Sequence, residues 1–353
     1  MVDSNKKLVT SNYGDEDIEQ LEGAVRIRKR PASMLGSDGI DGARHGLIEI
    51  IGNAVDEHNS GFGDTLEIHY YEDGSVSVRD YGRGVPLGWN EGKQKWNWFL
   101  IFNELYAGGK YKDYQVELQK VEEQNGWEDF NPHSLNYFFA IGLNGLGAAS
   151  TQYTSSFFEV ESYRDGICSK ISFKHGQPVT DLEQMETDEA NGTFIHWRPD
   201  EEVFSATNMG SDFIEANVNT VAYVSQMGVR HIDDIKGIDK LVKAGNVTKM
   251  LKDVYSLKED LTPWHVKKLH HGHTRVANKD FIYVFESEVA FSLVDNNLGG
   301  IIAHHNGVRM VGREDKNAHH VGINNALDTF FKIVSKDYGI MIKPVDYRTR
   351  FSF

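Results

Sequence analysis

One cysteine, Cys168, in 353 residues leaves no means of building an internal disulfide framework, and such scarcity fits a reducing compartment. No apolar run approaches the roughly 20 residues that a membrane-spanning helix needs. The first residues, MVDSNKKLVTSNYGDED, also lack the apolar centre of a signal peptide. The expected location is the cytoplasm, with no membrane partner. Basic residues are scarce too. Against 52 Asp and Glu stand 37 Lys and Arg, and the net charge of -15 argues against a chain that wraps nucleic acid over its whole surface. Any contact with DNA must be local or come through another polypeptide. No internal repeat or low-complexity tract is visible. What is there, 40% hydrophobic and 25% charged residues, is an ordinary globular composition, with length for about two domains.

Residues 1–20 read as a polar arm, ordered only against something else. A helix is expected from His45 to Asn59, then a hairpin in TLEIHYYEDGSVSVRDYG, where alternating segments flank Asp73-Gly74. A second helix is expected in KWNWFLIFNELYAGG, with its Trp and Phe side chains in the core. Residues 110–136 are charged and aromatic without clean periodicity, which reads as a long mobile loop. Strand patterning returns in FFEVESYRDGICSKISFKHG, around Asp165-Gly166, and in GTFIHWRP from Gly192. After VRHIDDIKG a second block begins near residue 236. It comprises a Lys-rich helical stretch to Lys268, strands in FIYVFESEVAFSLV and a helix in INNALDTFFKIVSKDYG. The last residues, RTRFSF, alternate like a strand without a closing turn, so the natural protein is expected to continue beyond Phe353.

The helix HGLIEIIGNAVDEH, His45–His58, carries the first chemical signal. At roughly 100° per residue, His45, Glu49, Asn53, Asp56 and Glu57 share one sector, and Leu47, Ile48, Ile50, Ile51, Ala54 and Val55 fill the other. Amphipathicity alone fits any surface helix. A solvated face, however, usually mixes acid and base three or four residues apart, and this one holds no lysine or arginine.

Three glycine-centred elements follow. In Asp80-Tyr81-Gly82-Arg83-Gly84-Val85-Pro86, alternate glycines let the backbone approach a flat ligand, and an ionised Asp accepts from an amino group such as that of adenine. A Gly-rich turn fits the same letters. In IGLNGLGAAS, Ile141–Ser150, a glycine turn runs into small helix-compatible residues, and amides freed at a helix start suit phosphates. This stretch has neither the Lys-Ser/Thr ending of a P-loop nor dinucleotide GxGxxG spacing. Gly192-Thr193, at the head of a strand, is a weaker signal. With these elements in place, Glu49 can polarise a water for attack on a terminal phosphate. His45, one turn earlier, would support it, and Asn53, one turn later, offers an oxygen to Mg²⁺.

In order, RKRPASMLG, EIIGNAVDE, DYGRGVP, LYAGGKY, GLNGLGAAS and GTFIHWRP resemble the ATPase region of type IIA DNA topoisomerases, the DNA gyrase B and topoisomerase IV B family. The resemblance runs from Tyr13 to Phe353. Mismatch-repair ATPases, histidine kinases and large heat-shock chaperones share single motifs; RPxxxxG together with AGGK points to topoisomerases.

The resemblance implies an α/β fold. A GHKL (Bergerat) ATPase domain, helices on one face of a mixed sheet, would span residues 21–235 with an ATP lid at 110–141. It would follow a dimerisation arm at 1–20 and precede a smaller βαβ transducer at 236–353, truncated at its C-terminus. It implies binding and hydrolysis of ATP with Mg²⁺, closing a homodimer that gates DNA strand passage beside an A-type breakage-reunion subunit, and a place for aminocoumarin inhibitors. Carried over, Glu49 is the general base, His45 its helper and Asn53 the Mg²⁺ ligand, with Asp56 beside it. Asp80 contacts adenine, Thr193 supports it through water, and Gly84 and Pro86 line the same pocket. Arg83 pairs with Glu57 at the pocket floor, and Arg164 stands at its mouth, where aminocoumarins bind. Lys110 and the loop Gly142, Leu143, Asn144, Gly145, Leu146 and Gly147 cradle the phosphates. Tyr13 of the arm reaches the partner subunit's nucleotide.

The departures are a longer lid, Ile141 where glycine is usual, Asn144 in place of a histidine, Tyr81 in place of an acid, and a transducer lysine that would lie beyond Phe353. The first four bear on lid closure rate and drug response more than on nucleotide binding. The alternatives are a mismatch-repair or chaperone-like ATPase of the same fold, and a nucleotide-binding dimerisation module with little turnover. The pairs His270-His271 with His273, His304-His305 and His319-His320 lack the cysteine or carboxylate partners of a closed zinc site and read as loop histidines. RIRKRP, Arg26–Pro31, is expected to anchor the start of the first domain rather than to bind nucleic acid.

Overall fold

The structure, a computed structural model, describes residues 23–110, 112–142, 145–255, 263–293, 301–305, 308–309, 318–344 and 351–353. Helices α1 (Gly23–Lys29), α2 (Ala32–Leu35) and α3 (Ile40–Asn59) come first. The third begins at Ile40 rather than at His45. Its first turn packs against the incoming chain at Gly42, where a Cβ would lie 2.1 Å from the Ser37 carbonyl oxygen. The expected hairpin is β1 (Thr65–Tyr70) and β2 (Val76–Asp80), closed over Asp73 and Gly74, the latter at φ 80°. A ribbon of β3 (Trp89–Asn90) and β4 (Lys95–Trp96) leads into α4 (Asn97–Asn103), which buries Phe102 but leaves Trp96 exposed ahead of it. Then come α5 (Gln115–Glu123), α6 (Gly147–Tyr153), β5 (Ser155–Arg164), β6 (Ile167–Lys174), β7 (Gln177–Pro178), β8 (Glu183–Glu186), β9 (Gly192–Pro199), α7 (Ser211–Tyr223), β10 (Gly228–Asp233) and β11 (Ile238–Val242).

These strands make one mixed sheet in the order β11-β10-β1-β2-β9-β5-β6-β7, with β8 also on β6. Only the β1/β10 pairing is parallel. Along β1, Leu66, Ile68 and Tyr70 are buried and their neighbours are not, the alternation of a sheet with one covered face. The cover is helical. Leu47, Ile50, Ile51, Ala54 and Val55 of α3 and Ile214, Val218, Val221 and Ala222 of α7 share one core with Val78, Phe158, Val160, Ile195 and Trp197 of the sheet. Burying such a side chain contributes about 1.5–3 kcal/mol each, which fixes α3 and its polar stripe relative to the strands. Arg28, from the basic opening segment, donates to the Tyr153 carbonyl at 3.2 Å and pairs with Asp200 at 2.8 Å. It is an anchor, as expected.

Two expectations change. Residues 110–136 are not a structureless loop: they hold α5 and short 3₁₀ turns at Gly126–Glu128 and Pro132–Ser134, with Leu118 buried. The Lys-rich stretch expected to be helical to Lys268 is instead split. Ile238–Val242 is β11, hairpin partner of β10, so the large sheet continues beyond the expected division at residue 236. Among the described residues of this stretch only α8 (Val247–Tyr255) is helical, and β12 (Trp264–Val276) pairs along its whole length with β13 (Lys279–Leu293). A long partner strand overrides the weak helical preference of a lysine-rich segment. Beyond lie the ribbon β14 (His304–His305) and β15 (Val308–Arg309), α9 (Ala318–Tyr338) and β16 (Phe351–Ser352). The second block keeps a strand-helix-strand order, but β16 pairs antiparallel with β13, which is not the parallel pairing of the expected βαβ crossover. Among the described residues no helix is long and apolar enough to cross a membrane.

Candidate active site

A cavity of about 690 Å³ opens beside the polar stripe of α3, closed by the β2–β3 connection, the end of the 110–141 insert and the entry to α6. The stripe is not a solvated face: His45, Glu49, Asn53 and Glu57 line this space, and Asp56 is buried. Glu49 Oε1 bonds His45 Nε2 across one helical turn at 3.1 Å. Its other oxygen rests on the start of α6, since a Cβ built on Gly147 would lie 1.9 Å from Glu49 Oε2. Glycine at 147 is therefore what lets two helices meet carboxylate to backbone.

One turn on, the Lys110 ammonium donates to Asn53 Oδ1 at 2.9 Å and to Asp56 Oδ2. The Asp56 side chain is fully buried, and it also accepts the backbone N–H groups of Ile141 at 2.7 Å and Gly142 at 3.2 Å. Ile141 fits because the facing helix residue is Gly52, whose Cβ, were there one, would sit 3.2 Å from Ile141 Cγ2.

The stripe ends at Glu57, which takes a forked pair of bonds from Arg83, Nε at 2.9 Å and Nη2 at 3.0 Å. The Tyr137 hydroxyl joins the same carboxylate, and Arg83 stacks 4.0 Å over Phe62. Burial pushes the Glu57 carboxyl upward, but the bonds from Arg83 and Tyr137 and the guanidinium charge hold it below its ordinary value. The Tyr137 phenol moves the other way, raised well above its usual range by burial and then by its bond to Glu57.

Across the cavity Asp80 ends β2, nearly buried, with Oδ1 accepting the N–H of Gly82 at 2.8 Å and of Thr193 at 3.2 Å. Burial raises its pKa and the two amide bonds offset only part of that. Thr193 Oγ1 accepts from the Val85 N–H at 3.1 Å, and Gly84, at φ 76°, stands where a Cβ would meet the Tyr163 carbonyl oxygen at 2.5 Å. That contact ties the glycine loop to β5. Arg164 donates to the Gly84 carbonyl at 3.2 Å, and Pro86, Gly145 and Leu146 complete the lining. Met34 and Leu35 of α2 line it as well. Of the expected site residues, Tyr13, Leu143 and Asn144 lie outside the described residues; the others border or brace this one space.

Tyr137 is the residue that the sequence did not mark. It closes the Glu57–Arg83 pair from the insert, and nothing in SLNYFFAIG distinguishes it from a packing aromatic. Among the described residues, the one cluster with metal-ligand spacing is His175, Asp200 and Glu202, and Arg28 already sits on both carboxylates, at 2.8 and 3.2 Å. The histidines of β12 are strand residues, not loop residues: His270 stacks on Phe285 at 4.5 Å and bonds Ser287 at 2.8 Å.

No family model matches the chain. It is 30% identical over 346 residues to the DNA topoisomerase IV B protein of Streptococcus pneumoniae, a match covering 96% of this chain and 47% of that protein. It is 27% identical over 335 residues to the DNA gyrase B protein of Thermotoga maritima, covering 94% and 48%. Among solved structures, the 43K ATPase domain of Thermus thermophilus gyrase B, in complex with an aminocoumarin, matches at TM-score 0.61 and 22% identity, over 91% of this chain and 75% of that one. Sheet, helical cover and structural likeness define an α/β sandwich with the fold of a gyrase ATPase domain. By sequence, the chain is similar over more than nine tenths of its length to DNA gyrase B and topoisomerase IV B proteins. It spans about half the length of the curated relatives it matches.

Proposed function

We propose that this chain binds ATP with Mg²⁺ and hydrolyses it, as the ATPase region of a type II DNA topoisomerase in which nucleotide binding closes a homodimeric gate on DNA. The observation that carries the proposal is the pairing, across one cavity, of a buried carboxylate at Asp80 with the Glu49 carboxylate seated on the Gly147 backbone. A buried acceptor at one end and a carboxylate beside freed amides at the other suit an adenine joined to a phosphate chain.

In this reading the Asp80 carboxylate accepts the adenine amino group, with Thr193, Gly84 and Pro86 shaping that end and Arg164 at the mouth, where an aminocoumarin would also lie. Glu57 and Arg83 brace the floor. Lys110 and the backbone of the Gly142–Gly147 loop hold phosphates, and Glu49, oriented by His45, takes a proton from the attacking water. Asn53 would hold Mg²⁺. Its oxygen fits a hard cation, for an ammonium already occupies it. Bound there, the metal supplies positive charge to the phosphates. The arm at residues 1–20, with Tyr13, would reach the partner subunit. The second unit, from α8 onward, would pass the nucleotide state to an A-type subunit and DNA.

The test separates binding from chemistry. Asp80→Asn is expected to weaken binding of a non-hydrolysable ATP analogue by calorimetry, and Glu49→Ala to bind it normally but release no phosphate. An Asp80→Asn chain that binds as tightly as the parent sinks the pocket assignment; a Glu49→Ala chain hydrolysing at the parental rate sinks the base assignment.

A further inference from the structure

We infer that the Lys110 ammonium is an internal cation occupying the divalent-metal position of this cavity, and that loading with metal and nucleotide exchanges one cation for the other. The inference rests on the function proposed above and deepens it at one residue.

Lys110 Nζ, Asn53 Oδ1 and Asp56 Oδ2 form one tight group. A Cβ at Gly142 would lie 3.1 Å from the Asn53 oxygen, 3.5 Å from the Asp56 oxygen and 3.5 Å from the ammonium. Lys110 is itself largely buried there, its Nζ 5.4 Å from the Tyr137 ring centroid. An amide oxygen that accepts from an ammonium cannot at the same time ligate a second cation a few ångströms away without strong repulsion. Nor can the ammonium simply leave. Asp56 is wholly buried, and a buried carboxylate stripped of its counter-charge is strongly destabilised. Exchange for another cation satisfies both conditions.

The same carboxylate adds a mechanical consequence. Asp56 holds Lys110, where the 110–141 insert begins, and the N–H groups of Ile141 and Gly142, where it ends. Both hinges of the insert are thus pinned to one side chain of α3. Exchange of cations frees the first hinge, with Lys110 available to the phosphates, while the second stays tied.

The experiment reads metal alone, without nucleotide. Mn²⁺ binding is followed by electron paramagnetic resonance for the parent, for Lys110→Met, and for Lys110→Gln, which keeps a donor to Asp56 without the charge. The parent is expected to bind Mn²⁺ weakly. Removal of the ammonium is expected to tighten binding at least tenfold, and adding Asn53→Ala to either variant to abolish the gain. Thermal melts supply a second readout: Mn²⁺ raises the melting temperature of the lysine variants but not of the parent. Folded lysine variants that bind Mn²⁺ no better than the parent overturn the inference, as does a parent that binds it as tightly as they do. Failure of the parent to bind an ATP analogue overturns the proposed function instead, because the cation competition is measured without nucleotide.

Discussion

Replacing Gly147 by alanine is the sharpest probe of the site, because it adds one methyl group at the contact between two helices. The added Cβ would lie 1.9 Å from Glu49 Oε2, 2.5 Å from its Cδ and 2.8 Å from its Cγ. Ordinary contact needs about 3.4 Å, so the carboxylate must move by roughly 1.5 Å, and because Cγ is crowded too, a small tilt of the carboxylate does not suffice. Backbone and fold are spared: alanine is the better helix former by about 1 kcal/mol, and the clash falls on a flexible side chain. A misplacement of about 1 Å at a reacting group can cost on the order of 10²-fold in rate. We therefore expect Gly147→Ala to keep its melting temperature within a few degrees, to bind a non-hydrolysable ATP analogue within about tenfold of the parent, and to lose about 10²-fold in steady-state phosphate release. A Gly147→Ala chain that binds nucleotide and turns it over at the parental rate would refute the placement of Glu49 as the group that handles the water.

Asp80 and Glu57 titrate in opposite senses, and each gives a stability test. For Asp80 the folded pKa is raised, so the ionised form costs stability at neutral pH and that cost disappears as pH falls through the raised value. Asp80→Asn should accordingly melt higher than the parent at pH 7 and lose this advantage toward about pH 4, while its nucleotide affinity falls more than tenfold; a lower melting temperature at pH 7 would contradict this. For Glu57 the folded pKa is lowered, so its contribution is present above the ordinary carboxylate value and lost as pH falls through the folded one. The parent should lose melting temperature between about pH 5 and about pH 3 more steeply than Glu57→Gln does; parallel profiles would contradict it. Tyr137→Phe removes hydroxyl bonds to both Glu57 and Arg83 and should cost about 1 kcal/mol by chemical denaturation, with no effect expected if Tyr137 is only packing.

The site was legible where function constrains several residues on one local element. The stripe of α3 shows through because helical periodicity puts His45, Glu49, Asn53, Asp56 and Glu57 on one side whatever the tertiary fold does. Gly84 and Gly147 show through because a Cβ there would collide with Tyr163 or Glu49. Tyr137 was invisible for the opposite reason: its partner Glu57 lies 80 positions away, and no local pattern encodes a bond at that separation. The strand at Ile238–Val242 was hidden by its own composition. IDKLV is short and carries two charges, and only the neighbour β10 makes it a strand.

The insert between Lys110 and Ile141 shows how a segment can look structureless and still be ordered. Its helix α5 has nine residues, too few to be stable alone, since isolated helices shorter than about 12–15 residues are marginal in water. Its order must come from contacts, and those run to the β12–β13 hairpin. The Gln115 side chain caps the β13 backbone at both ends of one residue, accepting the Ile282 N–H at 2.8 Å and donating to its carbonyl at 3.0 Å. Glu122 meets His273 at 2.8 Å, and Trp127 lies flat on His271 at 4.3 Å with the rings 5° from parallel. His271 and His273, which read as loop residues, are therefore part of a surface whose other half is the insert. Neither half is recognisable alone, because aromatic and charged residues on an isolated strand or a short helix are what any exposed surface carries. Because Asp56 pins the hinges of the same insert, a cavity-side change and a hairpin-side change act on one short helix that cannot hold its shape without either. Trp127→Ala should therefore weaken hairpin protection in amide exchange as well as protection in the insert, and a loss confined to the insert would show that the two surfaces only touch.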